Sequence, residues 1–207
     1  MPLAPIAYPL HRNSQKRIYE EGASYFITTV TYNRYPYFQI PFLADLFMKD
    51  LIFAKDLKQF TLHGYTIMPD HVHLLITPSV KANYSEVLHN IKRVFALHAN
   101  QILFSKPPFS KAGDDIYRRL RRNDPYGSLR WSEYLMDLHR LFIEQCGSDH
   151  NIPCFKWQKS FRDHIIRDDN DHSNHLEYIF HNALKHSLAQ EPEEWKWMWV
   201  ESMENSE

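Results

Sequence analysis

Two histidines stand one residue apart in the stretch MPDHVHLLI, residues 68–76. Alternate side chains of a β-strand point to the same face of a sheet, so His71 and His73 would share one face while Val72 points to the other. Two imidazoles on one face have the geometry to share a metal ion. His-x-His also occurs by chance in a chain with 13 histidines. A metal site and an ordinary polar strand therefore both stay open at this point.

Tyr178 and Asn182 are candidate reactive and ligating residues in the segment HLEYIFHNALKH. This segment predicts a helix, in which residues four apart lie on one face. Hard cations such as Mg²⁺ and Mn²⁺ take oxygen ligands, and the Asn182 side-chain oxygen qualifies. A phenol normally has a pKa of about 10, so a tyrosine nucleophile needs a metal, a base or a cation nearby. The alternative for Tyr178 is a half-buried structural residue. Rival ligands on the same helix are His175, His181 and His186.

Alternating and helical patterns predict the elements that must position these residues. Runs of β-branched and aromatic residues predict strands, and apolar residues at helical spacing predict helices. The predicted strands are residues 24–32, 60–68 and 71–77, with a further strand-like or extended segment at 155–161. The predicted helices are residues 42–57, 85–103, 131–146 and 168–188, and we expect the tryptophan-rich tail to pack back.

The helix at 85–103 has the clearest pattern of the four. Ser85 can cap its N-terminus. Its predicted buried face consists of Val87, Ile91, Val94, Phe95 and Leu97 or His98.

The order of the elements is β-α-β-β-α, an insertion, then β-α. This order is close to a ferredoxin-like, split βαβ arrangement, an α+β fold whose antiparallel sheet carries helices on one face. The other face is then free for a ligand or for the last helix, which carries Tyr178. Pro69 and Asp70 predict a tight connection between two strands. We expect residues 1–207 to form a single domain with an insertion at about 104–150.

Composition restricts the class of protein. A formal net charge of −1 argues against a protein that coats nucleic acid, but a nucleic-acid enzyme needs only a local positive field. The N-terminal segment lacks the apolar core of a secretory signal, and no window approaches the length of a membrane span. Cys146 and Cys154 lack CxxC spacing, and we interpret them as free thiols. The expected location is therefore the cytoplasm, with no membrane partner.

Basic residues offer contacts for DNA phosphates. An arginine run consists of Arg118, Arg119, Arg121, Arg122 and Arg130. Lys92 and Arg93, on the helix at 85–103, are further candidates for contacts with the DNA backbone. The alternative for the arginine run is a solvated face with acidic neighbours, namely Asp114, Asp115 and Asp124.

Other polar residues near these motifs have two interpretations each. Asp70 is interpreted as a turn residue, and support of a histidine ring is the alternative. Trp157 and Gln158 are packing residues or DNA readers. His164 and Arg167 precede the last helix and are structural or help to hold DNA or the tyrosine.

Several motifs agree with PDHVH in order and spacing. They are Trp157-Gln158, the segment HIIRD at 164–168, the segment EYI at 177–179, Asn182, and Lys185-His186. Together they resemble the REP-associated tyrosine transposases, a branch of the single-tyrosine HUH (TnpA-like) transposases. The resemblance covers roughly residues 17–100 and 155–190. Ala183 and Ser187 depart from it, since proline and glycine are usual at those positions.

This resemblance implies a specific chemistry. His71 and His73 bind a divalent metal, Mg²⁺ or Mn²⁺, with Asn182 as the third ligand. Tyr178 attacks a DNA phosphate, forms a 5′-phosphotyrosine link and leaves a free 3′-hydroxyl. The substrate is single-stranded DNA with a hairpin beside the cleavage site, and Lys185 joins the candidate DNA contacts. The predicted protein is thus a transposase that acts as a DNA endonuclease and strand transferase.

Two other functions stay open. The first is a catalytically silent DNA hairpin-binding protein derived from such an enzyme, which would need none of the four site residues. The second is a metal-dependent phosphoesterase in which Tyr178 is structural. Some single-tyrosine HUH transposases are dimers that exchange the helix carrying the tyrosine, whereas members of the REP-associated branch can act as monomers. A monomer is therefore favoured, and a homodimer stays open.

Overall fold

A computed structural model describes residues 17–104 and 128–201 of the chain. Its centre is a five-stranded antiparallel sheet with the strand order β4-β1-β3-β2-β5. The strands are β1 (Tyr25–Val30), β2 (Thr61–Met68), β3 (His71–Thr77), β4 (Arg162–Ile165) and β5 (Met198–Val200). The helices are α1 (Pro41–Lys58), α2 (Tyr84–Phe104), α3 (Ser128–Cys146), α4 (Asp169–Phe180) and α5 (Asn182–Lys185). Short 3₁₀ turns occur at Tyr32–Arg34, Tyr37–Gln39 and Pro192–Glu194.

The first four strands have the ferredoxin-like order that the sequence predicts. β1 and β2 both pair antiparallel with β3, which lies between them, and β4 pairs with the outer edge of β1. The α+β fold class is therefore confirmed. Pro69 and Asp70 alone connect β2 to β3, as predicted, and the register places Met68 opposite His71.

α1 and α2 cover one face of the sheet, where the main hydrophobic core lies. The core takes alternate residues of β3, namely Val72, Leu74 and Ile76, all fully buried. The predicted buried face of α2 is confirmed, since it buries Val87, Ile91, Val94, Phe95, Leu97 and His98. α3 contains the predicted helix at 131–146 and extends the same core through Leu135, Leu138 and Phe142.

Asn83, rather than Ser85, caps α2. The Asn83 side-chain oxygen accepts a hydrogen bond from the backbone N–H of Glu86 at 3.0 Å, and the Glu86 carboxylate accepts one from the backbone N–H of Asn83 at 3.2 Å. This reciprocal pair is a capping box. Ser85 lies inside the first turn, where its hydroxyl accepts a hydrogen bond from Arg17 at 2.8 Å. The predicted Ser85 cap is wrong because the helix begins one residue earlier.

α4 packs on the opposite face of the sheet. Leu176 and Ile179 of α4 pack against Leu75 of β3, with Phe26 and Met198 beside them. The helix that carries Tyr178 therefore occupies the face that the sequence analysis assigned to a ligand or to this helix. The sheet lies between two apolar layers, and the second layer is the smaller one.

The predicted single helix at 168–188 is two helices. α4 ends at Phe180, and α5 starts after His181, whose backbone angles are φ −91° and ψ 4°. The ring N–H and the backbone N–H of His181 both donate hydrogen bonds to the carbonyl oxygen of Glu177. These two bonds hold the backbone in a tight turn between α4 and α5. Ser187 then adopts φ +55°, which ends the second helix.

The segment at 155–161 forms only a bridge beside the end of β1, with backbone hydrogen bonds at Lys156 and Gln158, and the edge strand is β4 at Arg162–Ile165. Of this segment only Trp157 makes a bridge to the sheet, opposite Thr31. Its aromatic residues turn inward instead: the Phe155 ring lies 4.8 Å from the Phe95 ring of α2. Their apolar character is a consequence of packing between α2 and the sheet edge, which an alternating pattern alone cannot distinguish from a strand.

The C-terminal tail packs back, as predicted. β5 pairs with β2, and the Trp195 indole N–H donates to the carbonyl of Ile67 at 3.1 Å. β5 and α4 approach β2 closely at Gly64. A Cβ added there would lie 3.2 Å from the carbonyl oxygen of Trp199 and 3.3 Å from the end of the Ile179 side chain.

Some predictions fall outside the described residues. They concern Arg118, Arg119, Arg121 and Arg122, the acidic residues beside them, and the Arg130 side chain. Cys146 and Cys154 are both free and exposed. Within residues 17–104 and 128–201, none of the helices has the length and apolar character that crossing a membrane requires.

Candidate active site

His71 and His73 lie side by side on the α4 face of β3. Their ring centroids are 4.8 Å apart and nearly perpendicular. Each ring uses Nδ1 for a hydrogen bond within the protein: His73 with the Thr28 hydroxyl at 2.8 Å, and His71 with the Asp70 carboxylate at 2.6 Å. The Nε2 atoms of both rings are therefore left for another partner, which is the usual arrangement of histidines that ligate a metal.

Burial keeps both imidazoles neutral near pH 7. Removal from water lowers the pKa of His73 to about 3, with further lowering from the neighbouring His71, His186 and His175. Burial also lowers the pKa of His71, although its bond to Asp70 acts in the opposite direction. A neutral imidazole has the free lone pair that a metal ligand needs.

Asp70 is both a turn residue and a partner of His71. Burial tends to raise the pKa of its carboxyl, but hydrogen bonds and charges from His71 and Arg34 outweigh burial and lower it. The Arg34 guanidinium lies 2.9 Å from the second carboxylate oxygen. An ionised carboxylate can only accept hydrogen bonds, so the proton of His71 sits on Nδ1 and the lone pair on Nε2.

Asn182 is completely buried, and its side-chain oxygen and nitrogen both lack a hydrogen-bond partner among the described residues. Nε2 of His73 is buried and unpartnered in the same way. Each such orphaned group costs about 1–3 kcal/mol, so the buried atoms of both residues require a partner. A divalent ion fits these atoms, since it would accept the imidazole nitrogen and the amide oxygen as ligands.

The Tyr178 ring packs against the histidine pair. Its centroid lies 5.2 Å from that of His73 and 5.7 Å from that of Phe26, both in edge-on contact. The Lys185 ammonium lies 5.2 Å from the centre of the Tyr178 ring. The structure therefore brings Tyr178, Lys185 and the histidine pair together. Asn182 lies on the chain between Tyr178 and Lys185.

Two further residues at this site, Thr28 and Phe26, have no assigned role in the sequence motifs, and a third, His186, is one of the rival ligands. Thr28 and Phe26 belong to β1 and reach the site because β1 pairs with β3, with Thr28 opposite His73. The His186 ring centroid is 6.0 Å from that of His71. The alternation of ITTVT in β1 placed Thr28 on one face, but only the strand register gives it His73 as a neighbour.

His164 and Arg167 contact the start of α4. The His164 ring nitrogen lies 2.8 Å from the Asp171 carboxylate, and Arg167 donates to the same oxygen from its backbone at 3.1 Å and from its side chain at 3.3 Å. The hydrogen bond with His164 is the main cause that lowers the pKa of Asp171 to about 2. These contacts join the edge strand to the helix that carries Tyr178.

Lys92 and Arg93 line a groove of about 410 Å³ between α2 and the segment before β4. The other lining residues are Ser85, His89, Gln158, Lys159 and Phe161. The Lys92 ammonium donates to the carbonyl of Gln158 at 2.7 Å. Burial, and then the charge of Arg17, lower the pKa of Lys92 to about 8. The Trp157 indole donates to the carbonyl of Lys92, which supports its interpretation as a packing residue.

Comparison with known proteins agrees with this geometry. Residues 20–107 match the family model described as "Transposase IS200 like". Two curated relatives carry REP-associated tyrosine transposase in their names. The Haemophilus influenzae protein is 25% identical over 190 residues, covering 88% of this chain and 82% of the relative. The Escherichia coli protein is 22% identical over 180 residues, covering 87% and 78%.

The chain is similar to the IS200-like transposases over residues 20–107 and to the two REP-associated tyrosine transposases over most of its length. The resemblance to the REP-associated tyrosine transposases is thereby confirmed. A REP-associated tyrosine transposase solved bound to a REP hairpin has the same fold, with a TM-score of 0.55 and 18% identity. That match covers 88% of this chain and 79% of the other. The IS200-like transposases generally use a divalent metal, in agreement with the unpartnered ligand atoms at the histidine pair.

Proposed function

We propose that this protein is a metal-dependent single-strand DNA endonuclease and strand transferase that acts beside DNA hairpins. The observation that carries the proposal is the contact of Tyr178 with His73, whose Nε2 is buried without a partner among the described residues. A tyrosine beside two neutral imidazoles with free Nε2 atoms is suited to attack a metal-bound phosphate. The name of the hairpin-bound structural relative supports a hairpin as the substrate.

In the proposed reaction, the Tyr178 oxygen attacks the scissile phosphorus. A bond forms between the tyrosine oxygen and phosphorus, and the bond from phosphorus to the 3′-oxygen breaks. The phenol loses its proton, the leaving 3′-oxygen gains one, and the 5′-end stays linked to Tyr178. Because this link keeps the energy of the phosphodiester, another 3′-hydroxyl can reverse the step and join a new strand without ATP.

The residues around Tyr178 have distinct proposed roles. His71, His73 and Asn182 would hold Mg²⁺ or Mn²⁺, which when bound polarises the scissile phosphate. Thr28 and Asp70 orient the two rings through Nδ1. Lys185, with its ammonium beside the Tyr178 ring, is placed to contact the phosphate that the tyrosine attacks.

DNA contacts away from the reacting phosphate are proposed for Lys92 and Arg93 in their groove. The arginine run, Arg118, Arg119, Arg121 and Arg122, stays a prediction for hairpin phosphates. A single domain with an insertion at about 104–150, a monomeric state and a cytoplasmic location are part of the same proposal.

A denaturing-gel assay tests the proposal. The protein is mixed with labelled single-stranded hairpin oligonucleotides from the flanks of its gene, with Mn²⁺ or Mg²⁺. We expect a covalent protein–DNA band that requires the metal and is absent in Tyr178→Phe and His71→Ala. Tyr134→Phe, on α3, is the matched control and should form the band.

Binding measurements complete this test. Tyr178→Phe should bind the hairpin with nearly the affinity of the unchanged protein, because it retains the metal ligands and the basic groove. If no covalent band forms with any metal while hairpin binding survives both substitutions, the protein is a catalytically silent hairpin-binding protein. Metal-dependent cleavage that survives Tyr178→Phe would indicate a phosphoesterase in which Tyr178 is structural.

A further inference from the structure

A second cluster of ligand-type side chains lies on the same face of the sheet, at the other end of β2. It consists of His63 on β2, His172 on α4, and Glu201 just after β5. One nitrogen of each histidine and one Glu201 oxygen all lie within 4.8 Å of one another. Three separate elements therefore bring their ligand atoms to one point.

The distances within this cluster suit a transition metal. Nδ1 of His63 lies 2.7 Å from a Glu201 carboxylate oxygen, and Nε2 of His172 lies 3.7 Å from the same oxygen. A tetrahedral zinc ion with bonds of about 2.0–2.1 Å holds its ligand atoms about 3.3 Å apart. The two separations from the Glu201 oxygen fall on both sides of that value, so side-chain rotations that change each of them by roughly half an ångström would bring them to it.

The second ring nitrogen of His63 is hydrogen-bonded within the protein, as is usual for histidines that ligate a metal. Its second ring nitrogen, Nε2, lies 2.7 Å from the Thr77 hydroxyl, which lies 2.6 Å from that of Ser24. This chain of bonds orients the ring with Nδ1 directed at the cluster. The backbone N–H of Glu201 also donates to the carbonyl of His63 at 2.8 Å, which keeps the two residues in register.

We propose that His63, His172 and Glu201 form a second metal site, suited to zinc, which fastens the tyrosine helix and the C-terminal segment to the sheet. Two imidazoles and one carboxylate favour zinc over Mg²⁺, which prefers oxygen ligands. The fourth position is open to water. The site is separate from the histidine pair, since five strand residues, or about 16 Å, separate His63 from Met68, the partner of His71.

A neighbouring cluster, His164, Asp171 and His175, is less suited to a metal. The Asp171 carboxylate already accepts hydrogen bonds from Arg167, a permanent cation. The two histidine rings stack nearly parallel, with centroids 4.9 Å apart. This cluster is better explained as the attachment of β4 to α4.

A metal at the second site would act on Tyr178 through the helix. His172 precedes Tyr178 by six residues, which is about 9 Å along an α-helix. Fixing the first turns of α4 against β2 therefore limits the movement of the tyrosine relative to the histidine pair. This consequence rests on the proposed function, whereas the metal site itself does not.

Zinc titration of a variant that lacks the first site tests the inference. The variant His71→Ala/His73→Ala, treated with a chelator and dialysed, is titrated with Zn²⁺ by calorimetry and by thermal unfolding. We expect one zinc per chain and a rise in melting temperature that grows with zinc concentration. Since no DNA is present, the result is independent of the proposed strand transfer.

Two further substitutions in this background locate the ion. His172→Gln and Glu201→Gln should each weaken zinc binding by at least about 100-fold, because losing a ligand costs more than losing its outer partner. His89→Gln, an exposed histidine elsewhere, is the control and should bind zinc unchanged. Cobalt absorption gives a second reading: a tetrahedral visible band should appear with Co²⁺ and be absent in His172→Gln.

Zinc-free melting of each variant shows whether it folds. Failure to bind zinc in the background variant, or unchanged zinc binding in both His172→Gln and Glu201→Gln, would overturn the inference. The three residues would then be an ion-paired network that joins α4 and the tail to β2 without a metal.

Discussion

At the residue scale, the candidate active site depends on which ring nitrogen of His71 and of His73 is hydrogen-bonded within the protein and which is left for a ligand. His71 and His73 both bind the protein through Nδ1, so both offer Nε2 to a ligand. The partners differ, because Asp70 is a carboxylate and Thr28 is a neutral hydroxyl. Because these bonds fix the orientation of both neutral rings, a metal bound at Nε2 would require little reorganisation of the side chains.

Replacing Thr28 tests this orientation. Thr28→Val keeps the shape but removes the hydroxyl, which leaves Nδ1 of the buried His73 without its partner. We expect the affinity for Mn²⁺ to fall by about 10–100-fold, measured by titration calorimetry. Thr28→Ser keeps a hydroxyl and should retain most of the affinity. Equal affinities for Thr28→Val and the unchanged protein would show that the Thr28 bond does not support the ligand.

At the element scale, the position of Tyr178 depends on how α4 begins and how α5 ends. The Asp168 side chain accepts a hydrogen bond from the backbone N–H of Asp171 at 2.8 Å and caps α4. At the other end, Ser187 has φ +55° and closes α5. Glycine adopts this conformation without a steric penalty, which gives a physical reason for the glycine usual at this position in the resembling proteins.

Loss of the Asp168 cap should destabilise α4. We expect Asp168→Ala to lower the free energy of unfolding by about 1 kcal/mol, since the first N–H groups of the helix lose their acceptor. Asp168→Ser should recover most of this loss, because serine caps helices about as well as aspartate. Urea denaturation of the three proteins at pH 7 measures both effects. Equal midpoints for Asp168→Ala and the unchanged protein would contradict the capping role.

Glycine at position 187 should stabilise the protein. Relief of the left-handed conformation gains about 1–2 kcal/mol, and the greater freedom of glycine in the unfolded chain cancels about 0.4–1 kcal/mol of it. The expected net gain in the free energy of unfolding for Ser187→Gly is about 0.5–1 kcal/mol. Ser187→Ala keeps the Cβ and should give no gain. Thermal and urea unfolding compare the variants, and an equal gain for alanine would refute the backbone explanation.

At the scale of the whole molecule, the sheet separates the packed core from the candidate chemistry. α1 and α2 form the main core on one face, and α4 carries Tyr178 across the other. The basic groove lies between α2 and the segment before β4, at the edge of the sheet. Because the net charge is −1, the proposed DNA binding depends on a local positive field from cations such as those in this groove.

The proposed hairpin binding should depend on pH through the charge state of Lys92. Burial lowers the pKa of Lys92 to about 8, so its ammonium is charged at pH 7 and mostly neutral at pH 9. If Lys92 contacts a phosphate, hairpin affinity should fall several-fold over this range. The groups around it are Arg17 from the N-terminal segment, Lys159 from the segment before β4, and His89 and Arg93 from α2.

The variant Lys92→Arg distinguishes a loss of hairpin affinity caused by the titration of Lys92 from one caused by the titration of other groups. The guanidinium stays charged over the whole range, so the variant should lose less affinity between pH 7 and pH 9 than the unchanged protein. Fluorescence anisotropy with a labelled hairpin measures both curves. Parallel curves would show that Lys92 makes no contact with the DNA.

The fold class, the main helices and the tight turn before His71 were predictable from the amino-acid sequence. These depend on local patterns, since apolar periodicity and turn residues act within a few positions. The shared face of His71 and His73 followed from strand periodicity in the same way. Packing of the α2 face was predictable because its apolar residues recur at helical spacing.

The partners of these residues depend on how distant segments pack together. Thr28 meets His73 because β1 pairs with β3 in one register, and no local pattern specifies a register between distant segments. The residues 155–161 looked like a strand because packing against α2 also selects apolar and aromatic side chains. The cluster of His63, His172 and Glu201 joins three segments that are far apart in the chain, so it exists only once the tail and the tyrosine helix have packed on β2.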